Sequence, residues 1–208
     1  RIMLTQNLPD FWDSLYSENK DYWNFKKATP ALLKFFEHPS CPKTGSVLVP
    51  GAAFGYDAEQ WAIKGHDVLA VDFSPTAVDE LDRLSRKYKN LKSLDLDLFD
   101  LSPKDPKKGG QLFDIIYEYG TFSAIHPGRR DEYFEVWYKM LKDDGIIISL
   151  FYPIVNGNTF QGPPHCTSEG ELMARLGGIF DVIEKIPAQN SLPDRVGKEE
   201  FWILKKII

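Results

Sequence analysis

The sequence predicts an α/β protein: a doubly wound, mostly parallel sheet with helices on both faces. Three observations carry that expectation. Short β-branched apolar runs alternate with amphipathic stretches at helical spacing along most of the chain. The run Val47-Leu48-Val49-Pro50 breaks at Gly51-Ala52-Ala53-Phe54-Gly55 and passes at once into a helix-like stretch, Ala58 to Ile63. In such sheets a strand, a tight turn and a helix start form the place where nucleoside-bearing ligands dock. Finally, Leu112 to Tyr119 is a near-continuous apolar run, as a central parallel strand buried on both faces requires.

Composition bounds the alternatives. With 208 residues, 43% of them apolar and 26% charged, the chain reads as one soluble domain, residues 1–208. A formal charge of −5 argues against nucleic acid or an anionic membrane as partner, since both select a basic face. Neither a signal peptide nor an apolar run of membrane-spanning length is present in the sequence. Cys41 and Cys166 form no metal-type pair and read as reduced thiols of a cytoplasmic protein.

Residues 1–28 are crowded with aromatics, among them Trp12, Tyr16 and Trp23, and read as a lid over the core that begins at residue 46. Asp10 is placed to cap a short helix from Phe11 to Ser17, on which Trp12 and Tyr16 share a face. Thr29-Pro30 opens a second helix that ends before Pro39. After the glycine turn, a helix stops at Gly65, and Val68 to Val71 forms a second strand ending at Asp72. An acid there accepts hydrogen bonds from ribose hydroxyls in doubly wound sheets, and Ser74 already serves as the cap of the next helix, Pro75 to Tyr88. The third strand, Leu91 to Leu96, runs into Asp97-Leu98-Phe99-Asp100, where a carboxylate could accept an adenine amino group or merely face water.

The end of the fourth strand, Glu118 to Phe122, faces the ligand, because open α/β sheets bind at the carboxyl ends of their strands. Arg129 and Arg130 open a helix that runs to Leu141. Cations are disfavoured at a helix N-terminus, so the pair points to an anion, with salt bridges to Asp131 or Glu135 as the alternative. Asp143-Asp144-Gly145 reads as a turn into a strand from Ile146 to Tyr152. A Gly/Pro loop, Asn156 to His165, follows as the place for acceptor specificity. Then come a helix from Ser168 to Leu176 and two strands, Ile179–Ile186 and Phe201–Ile207, which form an antiparallel hairpin.

The turn also selects the cofactor. A dinucleotide fingerprint needs glycine where this chain has Ala53 and Tyr56, so close approach of a pyrophosphate is opposed. That disfavours a nicotinamide reductase and suits a nucleoside ligand with no phosphate in the turn, such as S-adenosylmethionine. No spaced ligand set supports a metal at His126 or His165, and no base accompanies Cys166 as a nucleophile.

Several motifs occur together in order: Val49-Pro50-Gly51, Asp72-Phe73-Ser74-Pro75, Ala124-Ile125-His126-Pro127, Gly162-Pro163-Pro164 and Arg195-x-Gly197-Lys198-Glu199, with Trp12 and Trp23 upstream. In these the chain resembles the class I S-adenosylmethionine-dependent methyltransferases. More narrowly it is similar to the thiopurine S-methyltransferase family, which includes thiol and halide methyltransferases. The resemblance implies a Rossmann-like sheet of seven strands with the last antiparallel. It implies that Trp12, Tyr16 and Trp23 close over the cofactor, with Gly51 at its methionine moiety, Asp72 at the ribose, Asp97 and Leu98 at the adenine, and Tyr119 nearby. Arg130 and Arg195, with Tyr119, fall on the acceptor side. The implied reaction moves a methyl group to a small soft nucleophile: a thiol, thiopurine, selenium species or halide. The implied partner is that small molecule, and the protein is expected to be a monomer or weak homodimer. Two alternatives stand beside it: a protein that binds the cofactor without turnover, marked by Ala53 where the family has glycine, and a methyltransferase for oxygen or nitrogen acceptors with Glu118 or His126 as base. Gly120-Thr121 replaces bulkier residues and is expected to enlarge the acceptor pocket.

Overall fold

A computed structural model describes residues 5–155 and 162–208. The segment 156–161, part of the expected specificity loop, lies outside the described residues, as do residues 1–4. Seven strands form one sheet: β1 (Ser46–Pro50), β2 (Asp67–Asp72), β3 (Leu91–Asp95), β4 (Phe113–Tyr119), β5 (Leu141–Phe151), β6 (Phe180–Pro187) and β7 (Glu200–Lys206). Their order is β3-β2-β1-β4-β5-β7-β6, and only β7 runs antiparallel to its neighbours. The order reverses between β1 and β4, so the crevice at their carboxyl ends is the topological switch point.

Period-two burial puts a core on each face. Leu48, Ile116, Trp202 and Leu204 meet α6 (Arg130–Met140) and α7 (Glu169–Leu176) on one side. Val47, Val49, Ile115, Tyr117, Phe201 and Ile203 meet α2 (Pro30–Phe35), α3 (Tyr56–Ile63) and α4 (Pro75–Lys87) on the other. The remaining α-helices among the described residues are α1 (Pro9–Ser17) and the single turn α5 (Thr121–Ala124) that leaves the end of β4.

Two local expectations fail. Asp10 does not cap α1: the helix starts at Pro9 with Leu8 in the cap position and no side-chain bond, because proline presets the first turn and needs no amide partner. Asp143-Asp144-Gly145 is not a free turn either. Leu141 already pairs with Phe113, and the next pairing is Ile115 with Ile146, so the acids sit in a bulged stretch of β5. A Cβ on Gly145 would stand 2.8 Å from Leu141 Cδ1 and 3.0 Å from the Asp114 carbonyl, so the bulge needs glycine there.

Candidate functional site

The β1–α3 turn is built around left-handed backbone. Gly51 has φ +63° and Gly55 +76°, and Ala53, not a glycine, is held at +49°. What holds it is Asp72 at the end of β2. Asp72 Oδ2 accepts from the Ala53 amide at 2.8 Å, and Oδ1 accepts from the Phe73 and Ser74 amides at 2.8 and 3.0 Å. Burial nonetheless pushes the Asp72 carboxyl above its ordinary value. Gly51 is pinned from the opposite side, where Thr121 Oγ1 donates to the carbonyls of Pro50 at 3.0 Å and Gly51 at 3.2 Å. A Cβ on Gly51 would lie 2.3 Å from that hydroxyl oxygen, while one on Gly55 would strike Leu81 and Leu84 of α4.

Over the switch point lies a cavity of about 620 Å³. Gly51, Ala53, Asp57, Asp72, Asp97 and Tyr119 are among its walls, and Trp12, Tyr16 and Trp23 roof it. The roof is an aromatic stack. Trp23 meets Trp12 and Tyr16 edge-on at 5.5 Å each, and Tyr16 lies flat on Phe54 of the turn at 4.7 Å. Asp13 pins the roof to the core, accepting from the Ser74 hydroxyl and from the Thr76 amide at 3.0 Å.

At the β3 end, burial raises Asp97, whose Oδ1 also accepts from the Phe99 amide at 3.0 Å. Leu98 and Phe99 line the cavity beside it, and the Arg129 guanidinium stacks on the Phe99 ring at 3.5 Å. At the β5 end stands Arg195, 7% exposed, over the rings of Tyr152 at 4.3 Å and Phe25 at 4.7 Å. Its Nη1 donates to the Tyr119 hydroxyl, which donates in turn to Glu199 Oε2 at 2.9 Å. No carboxylate among the described residues forms an ion pair with it, and its buried Nε has no hydrogen-bond partner there.

Arg130, expected on the acceptor side, does not line the cavity. It is 1% exposed, pairs with Glu171 at 2.8 Å, donates to the carbonyls of His165 and Cys166 at 3.0 and 3.1 Å, and stacks on Phe122 at 4.2 Å. The anion implied by two arginines at a helix start is therefore internal, Glu171 for Arg130 and Glu132 for Arg129, rather than Asp131 or Glu135. Glu118 and His126, the candidate bases for a harder acceptor, also lie off the cavity wall. Glu118 is fully buried, and that burial pushes its carboxyl up to about 7 against donors from the Phe122 amide and the Ser149 hydroxyl. Burial likewise raises the Cys41 and Cys166 thiols, so neither is an activated nucleophile.

The sequence reading passed over Asp57, Phe54, Tyr152 and Gln6, all cavity walls. Asp57 accepts from the Thr29 amide at 2.7 Å and the Tyr117 hydroxyl at 2.8 Å, joining the lid's exit to α3. An acid just after the second glycine of the turn was the available signal. Tyr152 follows the carboxyl end of β5, a position the switch-point rule singles out.

Chemically, the cavity offers carboxylates at the ends of β2 and β3 and apolar and aromatic walls. That donor set fits an adenosyl sulfonium: acids for ribose hydroxyls and adenine, aromatic faces for a cation.

Comparison with known proteins identifies the family. Residues 7–203 match the family described as thiopurine S-methyltransferase (TPMT). The chain is 30% identical over 202 residues to thiocyanate methyltransferase 1 of Arabidopsis thaliana, covering 94% of this chain and 84% of that protein. It is 27% identical over 222 residues to thiopurine S-methyltransferase of Methylococcus capsulatus, covering 94% and 96%. Among solved structures it superposes on the Burkholderia thailandensis 1,6-didemethyltoxoflavin-N1-methyltransferase with bound 1,6-didemethyltoxoflavin and S-adenosylhomocysteine, with TM-score 0.75, 20% identity, and coverage of 97% and 88%. The chain belongs to the thiopurine S-methyltransferase family of S-adenosylmethionine-dependent methyltransferases.

Proposed function

We propose that this enzyme methylates a small, soft, anionic nucleophile, a thiolate, selenolate or halide, and that Arg195 is what selects it. The observation that carries the reading is the state of that arginine. It is buried at the cavity wall in a ring of Phe25, Tyr119 and Tyr152, and among the described residues it forms no direct ion pair with a carboxylate, Glu199 reaching it through Tyr119, which is costly unless an anion arrives. The wall supports soft over hard acceptors for a second reason. A thiolate or halide needs no general base, and the two candidate bases, Glu118 and His126, do not reach the cavity.

Position in the cavity supports the following residue roles. Asp72 would hold the ribose hydroxyls, Asp97 the adenine amino group with Leu98 against the ring, and the Gly51 backbone the methionine moiety. Trp12, Tyr16 and Trp23 would cover it. S-adenosylmethionine, when bound, supplies an electrophilic methyl group whose departure leaves a neutral thioether. The chain's own work is to align the acceptor, exclude water beneath the aromatic roof, and keep the acceptor ionised through Arg195. Tyr119 sets the arginine's direction, and Glu199 sets Tyr119. The acid-leaning charge and the two buried thiols support a cytoplasmic enzyme acting on small molecules, not nucleic acid, as a monomer or weak homodimer. Residues 1–208 would act as one domain, with 1–28 as its lid and 46–208 as its core. No helix among the described residues is long and apolar enough to cross a membrane.

The test is steady-state methyl transfer to iodide, hydrosulfide and a thiopurine, with S-adenosylhomocysteine binding measured by calorimetry. Arg195→Met should raise the acceptor KM by at least tenfold and change the S-adenosylhomocysteine Kd by less than threefold, since a charged hydrogen bond contributes about 1.5–3 kcal/mol. An unchanged acceptor KM would remove Arg195 from the mechanism. Transfer to none of the three acceptors would reject the soft-nucleophile reading.

A further inference from the structure

The lid is fastened at two separate places. One is Asp13 on the start of α4, beside Asp72. The other is Gln6, whose side-chain nitrogen lies 3.2 Å from the Ala124 carbonyl and 3.1 Å from His165 Nε2, while the Gln6 backbone carbonyl accepts from Trp12 Nε1 at 2.9 Å. Gln6, Ala124, Pro163 and Pro164 all line the cavity. We propose that Gln6 and His165 form a proton-released latch that closes the acceptor side of the cavity, separately from the lid's hold on the cofactor side. The proposal rests on the acceptor reading above for its kinetic consequence only.

Hydrogen-bond valence fixes the state of the imidazole. A carbonyl oxygen only accepts, so the Gln6 atom facing Ala124 is the amide nitrogen, a double donor. Its second hydrogen points at His165 Nε2, which must then be the bare nitrogen of a neutral ring with its proton on Nδ1. A proton on Nε2 would set N–H against N–H and open the contact.

The ring packs directly against Gly162. A Cβ on Gly162 would stand 2.5 Å from His165 Cγ and 2.6 Å from Nδ1, so only glycine leaves room for it. The His165 amide donates to the Ser123 carbonyl at 2.7 Å, and its carbonyl accepts from Arg130 at 3.0 Å. The groups facing the ring oppose a second charge. His126 meets it edge-on at 5.8 Å, and the Arg130 guanidinium is beside it, with Glu171 already committed to Arg130 and Arg175. Burial, Arg130 and His126 together push His165 below its ordinary 6.5. The sign follows: the latch is intact above the ordinary imidazole value and is lost only as the pH falls through the lower value of the folded ring.

This separates two functions that a lid usually merges. Asp13 would hold the roof over the adenosyl group while Gln6 governs entry and exit of the acceptor. The loop that carries His165 also carries the acceptor wall, Pro163 and Pro164, so opening the latch frees both sides of the mouth.

The test combines hydrogen exchange over residues 5–12 with kinetics, in the S-adenosylhomocysteine complex and with iodide as an acceptor that has no proton of its own. In the wild type, protection of residues 5–8 should fall by about threefold to tenfold from pH 8 to the low-pH plateau of the His165 titration, after correction for intrinsic exchange, as expected for one hydrogen bond. The iodide KM should rise by a similar factor. Gln6→Ala should show the low-pH protection and KM at both pH values, with an S-adenosylhomocysteine Kd within twofold of wild type. Gln6→Glu should reverse the direction of the pH step, because a carboxylate binds the protonated ring. A pH step that persists unchanged in Gln6→Ala, or fails to reverse in Gln6→Glu, would overturn the latch. If the wild type transfers no methyl group to iodide, the exchange data still decide the latch, and only the acceptor reading fails.

Discussion

Replacing Gly51 by alanine probes the part of the structure on which the site depends most. The new Cβ would lie 2.3 Å from Thr121 Oγ1, 2.8 Å from Cγ2 and 3.1 Å from Cβ, at a backbone φ of +63°. The left-handed backbone costs an L-residue about 1–2 kcal/mol. Forcing a methyl group into a filled space costs about 1–3 kcal/mol more. Alanine returns about 0.4–1 kcal/mol by restricting the unfolded chain. The net loss is about 3 kcal/mol, which a domain of ordinary stability survives. Urea unfolding would measure it, and calorimetry should show S-adenosylhomocysteine binding weakened at the same time, because the turn must shift. Thr121→Ala removes both atoms that collide most closely, at the cost of its bonds to Pro50 and Gly51. The double variant should therefore lose about 1–2 kcal/mol less than the sum of the singles. Strict additivity, or a Gly51→Ala cost below about 1 kcal/mol, would refute the claim that Thr121 clamps the turn.

Two further outcomes follow from the same geometry. Ala53→Gly relieves a left-handed alanine and adds freedom to the unfolded chain, so stability should rise by about 0.5 kcal/mol with no loss of S-adenosylhomocysteine affinity; a clear destabilisation would show that the Ala53 methyl makes contacts that matter. Glu118, pushed by burial to about 7 from 4.5, contributes stability that is complete below 4.5 and lost as the pH rises through 7, a span equivalent to about 3 kcal/mol. Glu118→Gln should flatten that part of the stability profile, and a wild-type profile that is already flat between pH 4.5 and 7 would contradict the burial argument.

Much of this architecture was legible because periodicity and glycine placement act locally. The seven strands, the Ser74 cap and the turn at Gly51 each follow from residues close together in sequence. Arg130 was misplaced because its environment is assembled from distant parts: Glu171 and the carbonyls of His165 and Cys166 reach it only when α7 and the preceding loop fold back. The aromatic clustering of residues 1–28 could be read from composition, but the contacts that fasten it could not. Asp13 finds Ser74 and Thr76, and Gln6 finds His165, across separations that no local pattern encodes. The early start of β5 was hidden by Asp143-Asp144-Gly145, whose turn chemistry is real and is spent on a bulge inside the sheet.

The burial of Arg130 has a consequence for how substitution data in this family are understood. Its guanidinium braces the backbone of His165 and Cys166, next to the cavity wall at Pro163 and Pro164, without lining the chamber itself. A change at this position would reshape the chamber at one remove, through the chain segment it supports. Altered selectivity would then be measured at a residue that lies off the cavity wall, and an assignment made from kinetics alone would mistake a brace for a contact.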